Sequence, residues 1–331
     1  MPRRQIRHVI STMDFRDDHL AQLHEATGAV TFETIDTADR EALEVGLRQA
    51  DTAFLKPDVS SEDLLRSNLK WVHLDIAGLN RFASPALVAG GLALTGSSGR
   101  SAPVLAEHAL MFMLSLAFKT PEFLDAQRKK RWGIADQGGL QGLFSKTVGI
   151  IGVGNTGAAL AARCKALEMR VIGFNRSHVE FQHVDKLYSI EKGDGLAPLL
   201  QQSDFIVLCV PLTNQTYRMI GHSELSLMKT TACLINISRG ETVDEDALIE
   251  ALHSGSIPGA GLDVFETEPL NKDSDLWSIP GVLITPHVTP QMPDRLGRSV
   301  KIILENISRF RNGQPLLNRL SPSDVFTGMP V

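Results

Sequence analysis

The stretch that decides the fold is VGIIGVGNTG, residues 148–157. Its glycines have the spacing G-x-G-x-x-G between an apolar run and an alanine-rich run, which predicts a strand, a tight turn and a helix. The first glycine makes the turn, the second lets the backbone approach a pyrophosphate, and the third lets helix and strand pack closely. Free N–H groups at the start of the helix would bind the phosphates. The predicted dinucleotide site comprises Gly152, Gly154, Asn155, Thr156 and Gly157.

The composition excludes several classes of protein. The chain has 331 residues, which suits two domains, and its 43% apolar and 21% charged residues are ordinary for a soluble protein. The net charge of −5 does not indicate a surface that binds nucleic acid. The apolar runs are too short for a signal peptide or a membrane span. The three cysteines have neither metal nor disulfide spacing. We expect a cytoplasmic protein with reduced cysteines, without a metal and without nucleic-acid or membrane partners.

Short apolar runs alternate with helical patterns on both sides of a polar segment, residues 96–99. This alternation predicts an α/β protein with two doubly wound parallel-sheet domains. A last helical pattern, 296–310, falls outside the second array and is expected to return to the first domain. The predicted domains are therefore 1–98 with 291–331, and 99–290. The predicted strands are 6–10, 30–34, 52–55, 71–76 and 92–95, followed by 147–151, 170–174, 205–210, 232–237, 259–263 and 282–285.

The end of the second strand after the glycine stretch, GFNRS, bears on the choice of cofactor. In this fold an acid at that position binds the ribose 2′-hydroxyl of NAD. Here Asn175 takes the place of the acid, and Arg176 follows it. A carboxylate would repel a 2′-phosphate, whereas this pair accepts one, so the sequence favours NADP(H) over NAD(H). Alternatively, Arg176 points to solvent or stacks on the adenine.

Charged residues follow later strands of the second array. LINISRG carries Arg239 before its final glycine, GAGLDVFETEP holds Asp263, Glu266 and Glu268, and LITPHVTP holds His287. Ligands of α/β sheets bind at the carboxyl ends of the strands. An arginine at such a place can bind an anionic ligand, and a histidine can transfer a proton. Each of these residues also has a purely structural interpretation. Arg239 could cap a strand, Glu268 could be a solvated acid, and His287 could be a hydrogen-bonded histidine in a turn.

Six strings in the chain are distinctive in sequence and in order. They are LAEHAL (105–110), KTVGIIGVGNTG (146–157), VPLTNQT (210–216), MKTTACLINISRG (228–240), GAGLDVFETEPL (259–270) and ITPHVT (284–289). On these strings the chain resembles the D-isomer-specific 2-hydroxyacid dehydrogenase family, loosely in the N-terminal array and closely from residue 105 to 288. The resemblance implies a flavodoxin-like substrate domain and a Rossmann-like cofactor domain, with the active site in the cleft between them. It also implies a homodimer built through the cofactor domains, with the apolar helical pattern 109–118 at the interface.

The resemblance further implies an NAD(P)-dependent oxidoreductase that interconverts 2-keto acids and D-2-hydroxy acids, similar to glyoxylate/hydroxypyruvate reductases. Arg239 would bind the carboxylate and polarise the carbonyl group. His287 would be the acid and base, and Glu268 would orient the ring and favour its protonated form. The loop that holds the substrate carboxylate falls on Ala77 and Gly78. The further cofactor positions implied are Val210, Pro211, Thr216, Ile237 and Asp263.

Two departures from the family pattern concern substrate choice. After His287 the family usually has small residues, whereas this chain has Pro290 and Pro293, which stiffen the segment. Arg100 stands where relatives often have no charge, and we hypothesise that it binds a second anionic group of the substrate. Alternatively, Arg100 points to solvent or touches a cofactor phosphate.

Two other functions stay open on the sequence alone. One is another dehydrogenase on the same scaffold, such as a formate or phosphite dehydrogenase. The other is a non-catalytic, dinucleotide-sensing binding protein of the corepressor type, since such relatives can keep the three charged residues.

Overall fold

The computed structural model describes residues 4–289 and 291–328. The outer ends of the predicted domains, residues 1–3 and 329–331, and Pro290 of the predicted stiff segment lie outside the described residues. The chain divides into two compact units. Of the described residues, unit 1 holds 4–101 and 292–328, and unit 2 holds 102–289 and 291.

The strands of the described residues are short and regularly spaced. In chain order they are β1 (His8–Ser11), β2 (Thr31–Thr34), β3 (Thr52–Leu55), β4 (Trp71–Leu74), β5 (Ala93–Gly96), β6 (Thr147–Ile151), β7 (Arg170–Asn175), β8 (Lys186–Ser189), β9 (Phe205–Leu208), β10 (Cys233–Asn236), β11 (Ala260–Leu262) and β12 (Val282–Ile284).

Helices connect most of these strands. In chain order they are α1 (Asp17–Thr27), α2 (Arg40–Gln49), α3 (Ser61–Leu65), α4 (Pro85–Ala89), α5 (Ala102–Ala117), α6 (Thr120–Arg128), α7 (Asn155–Ala166), α8 (Ala197–Gln202), α9 (His222–Leu227), α10 (Glu245–His253) and α11 (Arg295–Arg311). Several begin at a polar cap that satisfies a free N–H group, as where Asp244 accepts from Ala247 at the start of α10.

Unit 1 is built on a five-stranded parallel sheet with the order β2-β1-β3-β4-β5, which is the flavodoxin-like order. Every residue of β3, β4 and β5 is buried, as expected where helices cover both faces of a parallel sheet. Helix α11 packs on α1 within this unit. The ring of Phe310 in α11 stacks on Trp71 of the sheet, with 5.4 Å between the centroids.

Unit 2 contains a seven-stranded parallel sheet with the order β12-β11-β10-β9-β6-β7-β8. Counted from β6 as the first strand, six of these strands have the dinucleotide-binding order 3-2-1-4-5-6, and β12 adds a seventh at one edge. The strand order reverses between β6 and β9, where Ile151 pairs with Leu208. Ligands bind outside the carboxyl ends of the strands at such a switch point. The predicted fold class, α/β with two doubly wound parallel sheets, is confirmed.

One strand of unit 2 was not predicted from the sequence. Strand β8, KLYS, pairs with β7 from Ile172↔Lys186 to Asn175↔Ser189. It forms the edge of the sheet, and only two of its four residues are apolar. A strand that buries little apolar surface has only a weak hydrophobic pattern in the sequence. The predicted strands therefore do not include β8.

Helix α5, the apolar helix of the sequence, packs one face against α7, β10 and β11. Ala106, Ala109 and Phe112 are buried on that face, whereas Met111 is 42% exposed and Leu114 is 38% exposed. Among the described residues no single helix is long and apolar enough to cross a membrane. Helices α5 and α6 meet that criterion only as a pair bent by 64°.

Candidate active site

The glycine stretch forms the connection between β6 and α7, and each glycine has a different environment. Gly152 has a φ of 94°, and a Cβ atom there would lie 2.7 Å from the carbonyl oxygen of Cys209. A Cβ atom on Gly157 would lie 2.3 Å from the carbonyl oxygen of Gly152, so α7 packs this closely only with glycine. A Cβ atom on Gly154 would meet nothing within 4 Å, which leaves space for a ligand. The first turn of α7 also presents N–H groups without intrahelical partners, so the loop fits a pyrophosphate.

Asn175, at the end of β7, forms two hydrogen bonds with the backbone of this loop. Its Oδ1 accepts the N–H of Val153 at 2.6 Å, and its Nδ2 donates to the carbonyl oxygen of Val153 at 3.1 Å. The carboxamide is therefore engaged by the backbone of the glycine stretch, a contact that the sequence did not indicate. Arg176 is exposed, and the ion pairs among the described residues do not include it.

His287 and Glu268 form a hydrogen-bonded pair. Nδ1 of His287 lies 2.7 Å from Oε2 of Glu268, and Oε1 of the same carboxylate accepts the N–H of Phe265 at 3.1 Å. The N–H of His287 donates to the carbonyl oxygen of Asp263 at 2.8 Å. The ring is 39% exposed, and Glu268 uses Nδ1, so Nε2 is the nitrogen that can meet a reactant. Both members of the pair are thus oriented by the backbone.

Arg239 follows β10 in a loop held by polar contacts. The side chain of Asn236, the last residue of β10, donates to the carbonyl oxygen of Arg239 at 2.9 Å and accepts the N–H of Ser238 at 3.0 Å. Burial lowers the pKa of the Arg239 guanidinium, and the nearby carboxylates of Glu241 and Glu268 oppose that shift. The structure therefore brings Arg239 within electrostatic reach of Glu268.

Gly240 joins the loop of Arg239 to the loop that leads to Glu268. A Cβ atom on Gly240 would lie 1.8 Å from the carbonyl carbon of Phe265, so only glycine permits this approach of the two backbones. The sequence places these segments far apart, and so it could not show the reason for this glycine.

Asp263 is fully buried, and its carboxylate holds the segment on both sides of His287. Oδ1 accepts from the hydroxyl of Thr285 at 2.5 Å and from the N–H of Val288 at 3.1 Å. Oδ2 accepts the N–H of Thr289 at 3.3 Å and also its hydroxyl. The resemblance implied a place near the nicotinamide for Asp263, and its contacts in the structure are with this histidine segment.

His108, from the LAEHAL string, extends the same cluster. Its Nε2 lies 2.9 Å from Oγ1 of Thr285, and it lies 3.8 Å from Oδ1 of Asp263. Burial lowers the pKa of His108, and the carboxylate of Asp263 opposes that shift. His108 and Thr285 lie inside the strings LAEHAL and ITPHVT, but nothing in the sequence singles them out as contacts of Asp263.

The remaining predicted cofactor positions of unit 2 lie beyond the ends of β9 and β10. Thr216 donates its hydroxyl to the carbonyl oxygen of Pro211 at 2.7 Å and accepts the N–H of Thr213 at 2.8 Å. Val210 is half-buried at the start of this loop, and Ile237 is buried just after β10. The hydroxyl of Thr216 therefore shapes the loop.

Ala77 and Gly78 lie in the loop after β4 of unit 1, where Ala77 is exposed. The start of this loop is fixed to the end of β5. The carbonyl oxygen of Ile76 accepts the N–H of Ser97 at 2.8 Å. A Cβ atom on Gly96 would lie 2.8 Å from that carbonyl oxygen, so glycine lets the two strand ends approach.

The hypothesis that Arg100 faces the substrate is wrong, and so is its alternative of an arginine in solvent. The side chain is 3% exposed, and Nη1 donates to Oδ1 of Asp75 and, at 2.9 Å, to the hydroxyl of Ser299. Burial also lowers the pKa of Arg100. Neither Asp75 nor Ser299 is near Arg100 along the chain, so the sequence alone did not indicate these contacts.

Among the described residues, no cluster of three or more histidine, cysteine, aspartate or glutamate residues is arranged to hold a metal ion. Unit 2 combines a dinucleotide-binding sheet with an oriented histidine–glutamate pair and a half-buried arginine. This fold and site define the class of nicotinamide-dependent oxidoreductases.

The family model of the D-isomer specific 2-hydroxyacid dehydrogenase, NAD binding domain, matches residues 110–289. The chain belongs to the D-isomer-specific 2-hydroxyacid dehydrogenases, a family of NAD(P)-dependent enzymes, and the family resemblance is confirmed.

Curated relatives and solved structures agree with this assignment. A glyoxylate reductase of Korarchaeum cryptofilum is 35% identical over 227 residues, which are 68% of each chain. A glyoxylate reductase of Thermococcus gammatolerans is 43% identical over 172 residues, which are 52% of this chain and 50% of that relative. The structure of an NADPH-dependent glyoxylate/hydroxypyruvate reductase of Sinorhizobium meliloti, in complex with NADP and sulfate, aligns with a TM-score of 0.78 and 27% identity. That alignment covers 96% of this chain and 99% of the other.

Proposed function

We propose that this protein reduces 2-keto acids to D-2-hydroxy acids, and that His287, Glu268 and Arg239 carry the reaction. The observation that carries the proposal is the 2.7 Å hydrogen bond between Nδ1 of His287 and Oε2 of Glu268, in a unit with a dinucleotide-binding sheet. The glyoxylate reductases among the relatives support a 2-keto acid as the substrate.

The nicotinamide dinucleotide, when bound, supplies the hydride. The open side of Gly154 and the first N–H groups of α7 support binding of its pyrophosphate by the glycine stretch. The residues proposed to contact the cofactor are Gly152, Gly154, Asn155, Thr156, Gly157, Asn175, Arg176, Val210, Pro211, Thr216, Ile237 and Asp263.

The three charged side chains have distinct tasks in this proposal. Arg239 binds the substrate carboxylate and stabilises the negative charge that develops on the carbonyl oxygen. His287 donates a proton from Nε2 to that oxygen in reduction and removes it in oxidation. Glu268 accepts the hydrogen bond from Nδ1, which fixes the ring and stabilises the imidazolium ion. The backbone N–H groups of Ala77 and Gly78 are proposed to bind the substrate carboxylate in unit 1.

NADP(H) is the cofactor that we propose for this enzyme. The strand end Asn175–Ser177 has no acid, and the exposed guanidinium of Arg176 is available to a 2′-phosphate. The complex of the Sinorhizobium meliloti reductase with NADP supports this choice.

We further propose a homodimer built through unit 2. A groove of about 1350 Å³ lies beside α5 and α6, lined by residues such as Leu116, Pro121, Ile134 and Val282. Exposed apolar side chains belong to these helices and to the segment after them, and a second copy of unit 2 would cover them. They are Met111, Leu114, Phe118, Leu124, Trp132 and Phe144. Light scattering of the wild type and of Leu124→Asp tests this: a monomeric wild type contradicts the dimer.

A cytoplasmic setting is also proposed. Cys164, Cys209 and Cys233 are free thiols, and burial raises the pKa of each to about 12, so they are poor nucleophiles at neutral pH. Reduced and unreactive cysteines suit a reducing compartment.

A substrate panel tests the proposed reaction. We expect the enzyme to consume NADPH with glyoxylate, hydroxypyruvate, pyruvate or phenylpyruvate. The loss of absorbance of the reduced nicotinamide measures this consumption. Tight cofactor binding without turnover of any 2-keto acid would contradict the proposal and favour a dinucleotide-sensing protein. Turnover of formate or phosphite alone would favour the other dehydrogenases.

A further inference from the structure

The polar cluster around Asp75, at the end of the unit 1 sheet, contains more positive than negative charge. Arg100 and Arg295 both lie against this one carboxylate, which is 14% exposed. His73 also contacts the cluster; it is fully buried, and burial lowers its pKa to about 4, so it is neutral at pH 7. Arg298 donates its Nε to the carbonyl oxygen of Arg100 at 2.5 Å. The cluster therefore carries an excess of positive charge.

Other donors already bind the carboxylate of Asp75. Oδ1 accepts from the hydroxyl of Ser299 at 2.6 Å, from the hydroxyl of Ser97 at 3.1 Å and from the guanidinium of Arg100. Arg100 is buried, so it neutralises Asp75 without being available to a ligand. These contacts use Oδ1 alone, so Arg295 shares the carboxylate with Arg100 and reaches only Oδ2, at 3.6 Å.

Arg295 keeps most of its hydrogen-bonding capacity. Its Nη2 lies 3.6 Å from Oδ2 of Asp75 and 3.5 Å from the carbonyl oxygen of Asp75, which are long contacts. Its Nε is buried and has no hydrogen-bond partner among the described residues. The side chain as a whole is 41% exposed. A guanidinium that is partly buried, poorly paired and open on one side is suited to an anionic ligand.

The place of Arg295 in unit 1 indicates which anion this is. The carbonyl group that it contacts belongs to Asp75, two residues before Ala77 in the loop proposed to bind the substrate carboxylate. Arg295 is also the first residue of α11, a helix of 17 residues, whose N-terminal dipole adds to the positive potential. The backbone N–H groups of the Ala77–Gly78 loop are neutral, so a formal positive charge beside them adds an ionic contribution.

We propose that Arg295 is a specificity-determining residue that binds the carboxylate of the 2-keto acid at the Ala77–Gly78 loop. The inference rests on the proposed function, because it assumes a 2-keto acid substrate. Arg295 stabilises the bound substrate and the transition state alike, so its loss raises KM and leaves kcat nearly unchanged.

The test compares Arg295→Met and Arg295→Lys with a control, Arg309→Met. Arg309 lies on the same helix but pairs with Glu305 at 2.7 Å on the surface. With a 2-keto acid that the wild type reduces, we expect Arg295→Met to raise KM at least about tenfold, with kcat changed by less than about threefold. Arg295→Lys should recover part of the loss, and the control should match the wild type.

Calorimetry with oxalate, a stable dianion that resembles the substrate, gives a readout besides turnover. We expect its Kd to rise at least about tenfold in Arg295→Met and less in Arg295→Lys. Unchanged KM and unchanged oxalate Kd in Arg295→Met would overturn the inference, as would a loss confined to diacid substrates. If Arg295→Met fails to fold, the neutral variant Arg295→Gln replaces it, and a wild-type KM and oxalate Kd in Arg295→Gln would overturn the inference. A wild-type enzyme that turns over no 2-keto acid would contradict the proposed function itself. The failure of the proposed function is therefore distinguishable from a failure of the inference about Arg295.

Discussion

Nδ1 of His287 lies 2.7 Å from Oε2 of Glu268, and Oε1 of that glutamate accepts the N–H of Phe265 at 3.1 Å. The glutamate is therefore held at one oxygen by the backbone and offers the other to the imidazole ring. His287 itself has a φ of 51°, a left-handed conformation that is uncommon for residues other than glycine. Its backbone is held there by the hydrogen bond to Asp263. The pair is thus preorganised in the protein before any substrate binds.

Replacement of Glu268 by glutamine should lower kcat by about tenfold to a hundredfold, because the imidazolium ion loses its ionic partner. Steady-state kinetics at saturating cofactor measure this. Glu250→Gln is the matched control, since Glu250 lies 3.7 Å from His222 in an exposed pair of the same type. Equal kcat values for the two variants would show that the pairing of Glu268 with His287 does not contribute to the reaction.

Thr289→Val should lower both kcat and thermal stability. The substitution removes the hydroxyl that donates to the fully buried carboxylate of Asp263, which leaves that acceptor less satisfied at a cost of about 1–3 kcal/mol. The segment that carries His287 then loses one of its attachments. Thr289→Ser keeps the hydroxyl and should retain near wild-type kcat and Tm. Full activity and stability in Thr289→Val would contradict the role of Asp263 in holding this segment.

Arg176→Ala should weaken NADPH binding by about tenfold to a hundredfold and leave NADH binding nearly unchanged, because the charged contact to a 2′-phosphate is lost. Fluorescence titration with both cofactors measures the two dissociation constants. Arg170→Ala, at the other end of β7, is the control. A parallel loss for both cofactors, or no loss for either, would remove the argument for NADP(H).

His73 should make the stability of unit 1 depend on pH. The ring is fully buried between hydroxyl groups, 3.1 Å from Oγ1 of Thr95 and 2.9 Å from Oγ of Ser97. Burial lowers its pKa from 6.5 to about 4. Between these values the unfolded chain binds a proton that the folded chain does not, so the free energy of unfolding falls as the pH is lowered through this window. The contribution of this one group is on the order of 3 kcal/mol.

Chemical denaturation at pH 7 and pH 5 tests the role of His73. The wild type should lose stability between the two, and His73→Gln, which has no titratable group, should lose about 2 kcal/mol less. If the difference between pH 7 and pH 5 is the same in both proteins, the effect belongs to other groups.

The parts of the fold that depend on local pattern could be predicted from the sequence. The glycine stretch was predicted because its signal lies within ten consecutive residues, 148–157, and each glycine has the steric environment that this spacing requires. Strand β8 was missed because an edge strand with two apolar residues has little pattern to detect. Local periodicity thus predicts the sheets, and it fails where a strand buries little surface.

The contacts of the charged residues could not be predicted in the same way. Arg100 pairs with Asp75 and Ser299, which lie 25 and 199 residues away along the chain. A buried ion pair of this kind depends on tertiary packing, and nothing in the neighbouring sequence distinguishes it from a substrate contact. Asn175 likewise braces Val153 because β6 and β7 are adjacent in the sheet. The residue types indicated the chemistry, whereas the fold decides which partner each one meets.

The central claim, that His287 is the acid and base of 2-keto acid reduction, is tested most directly by the kcat of His287→Ala beside its affinity for NADPH. We expect kcat to fall by roughly 10²–10⁴-fold while the Kd for NADPH stays within about twofold of the wild type. A kcat near that of the wild type, in a variant that binds NADPH normally, would contradict it.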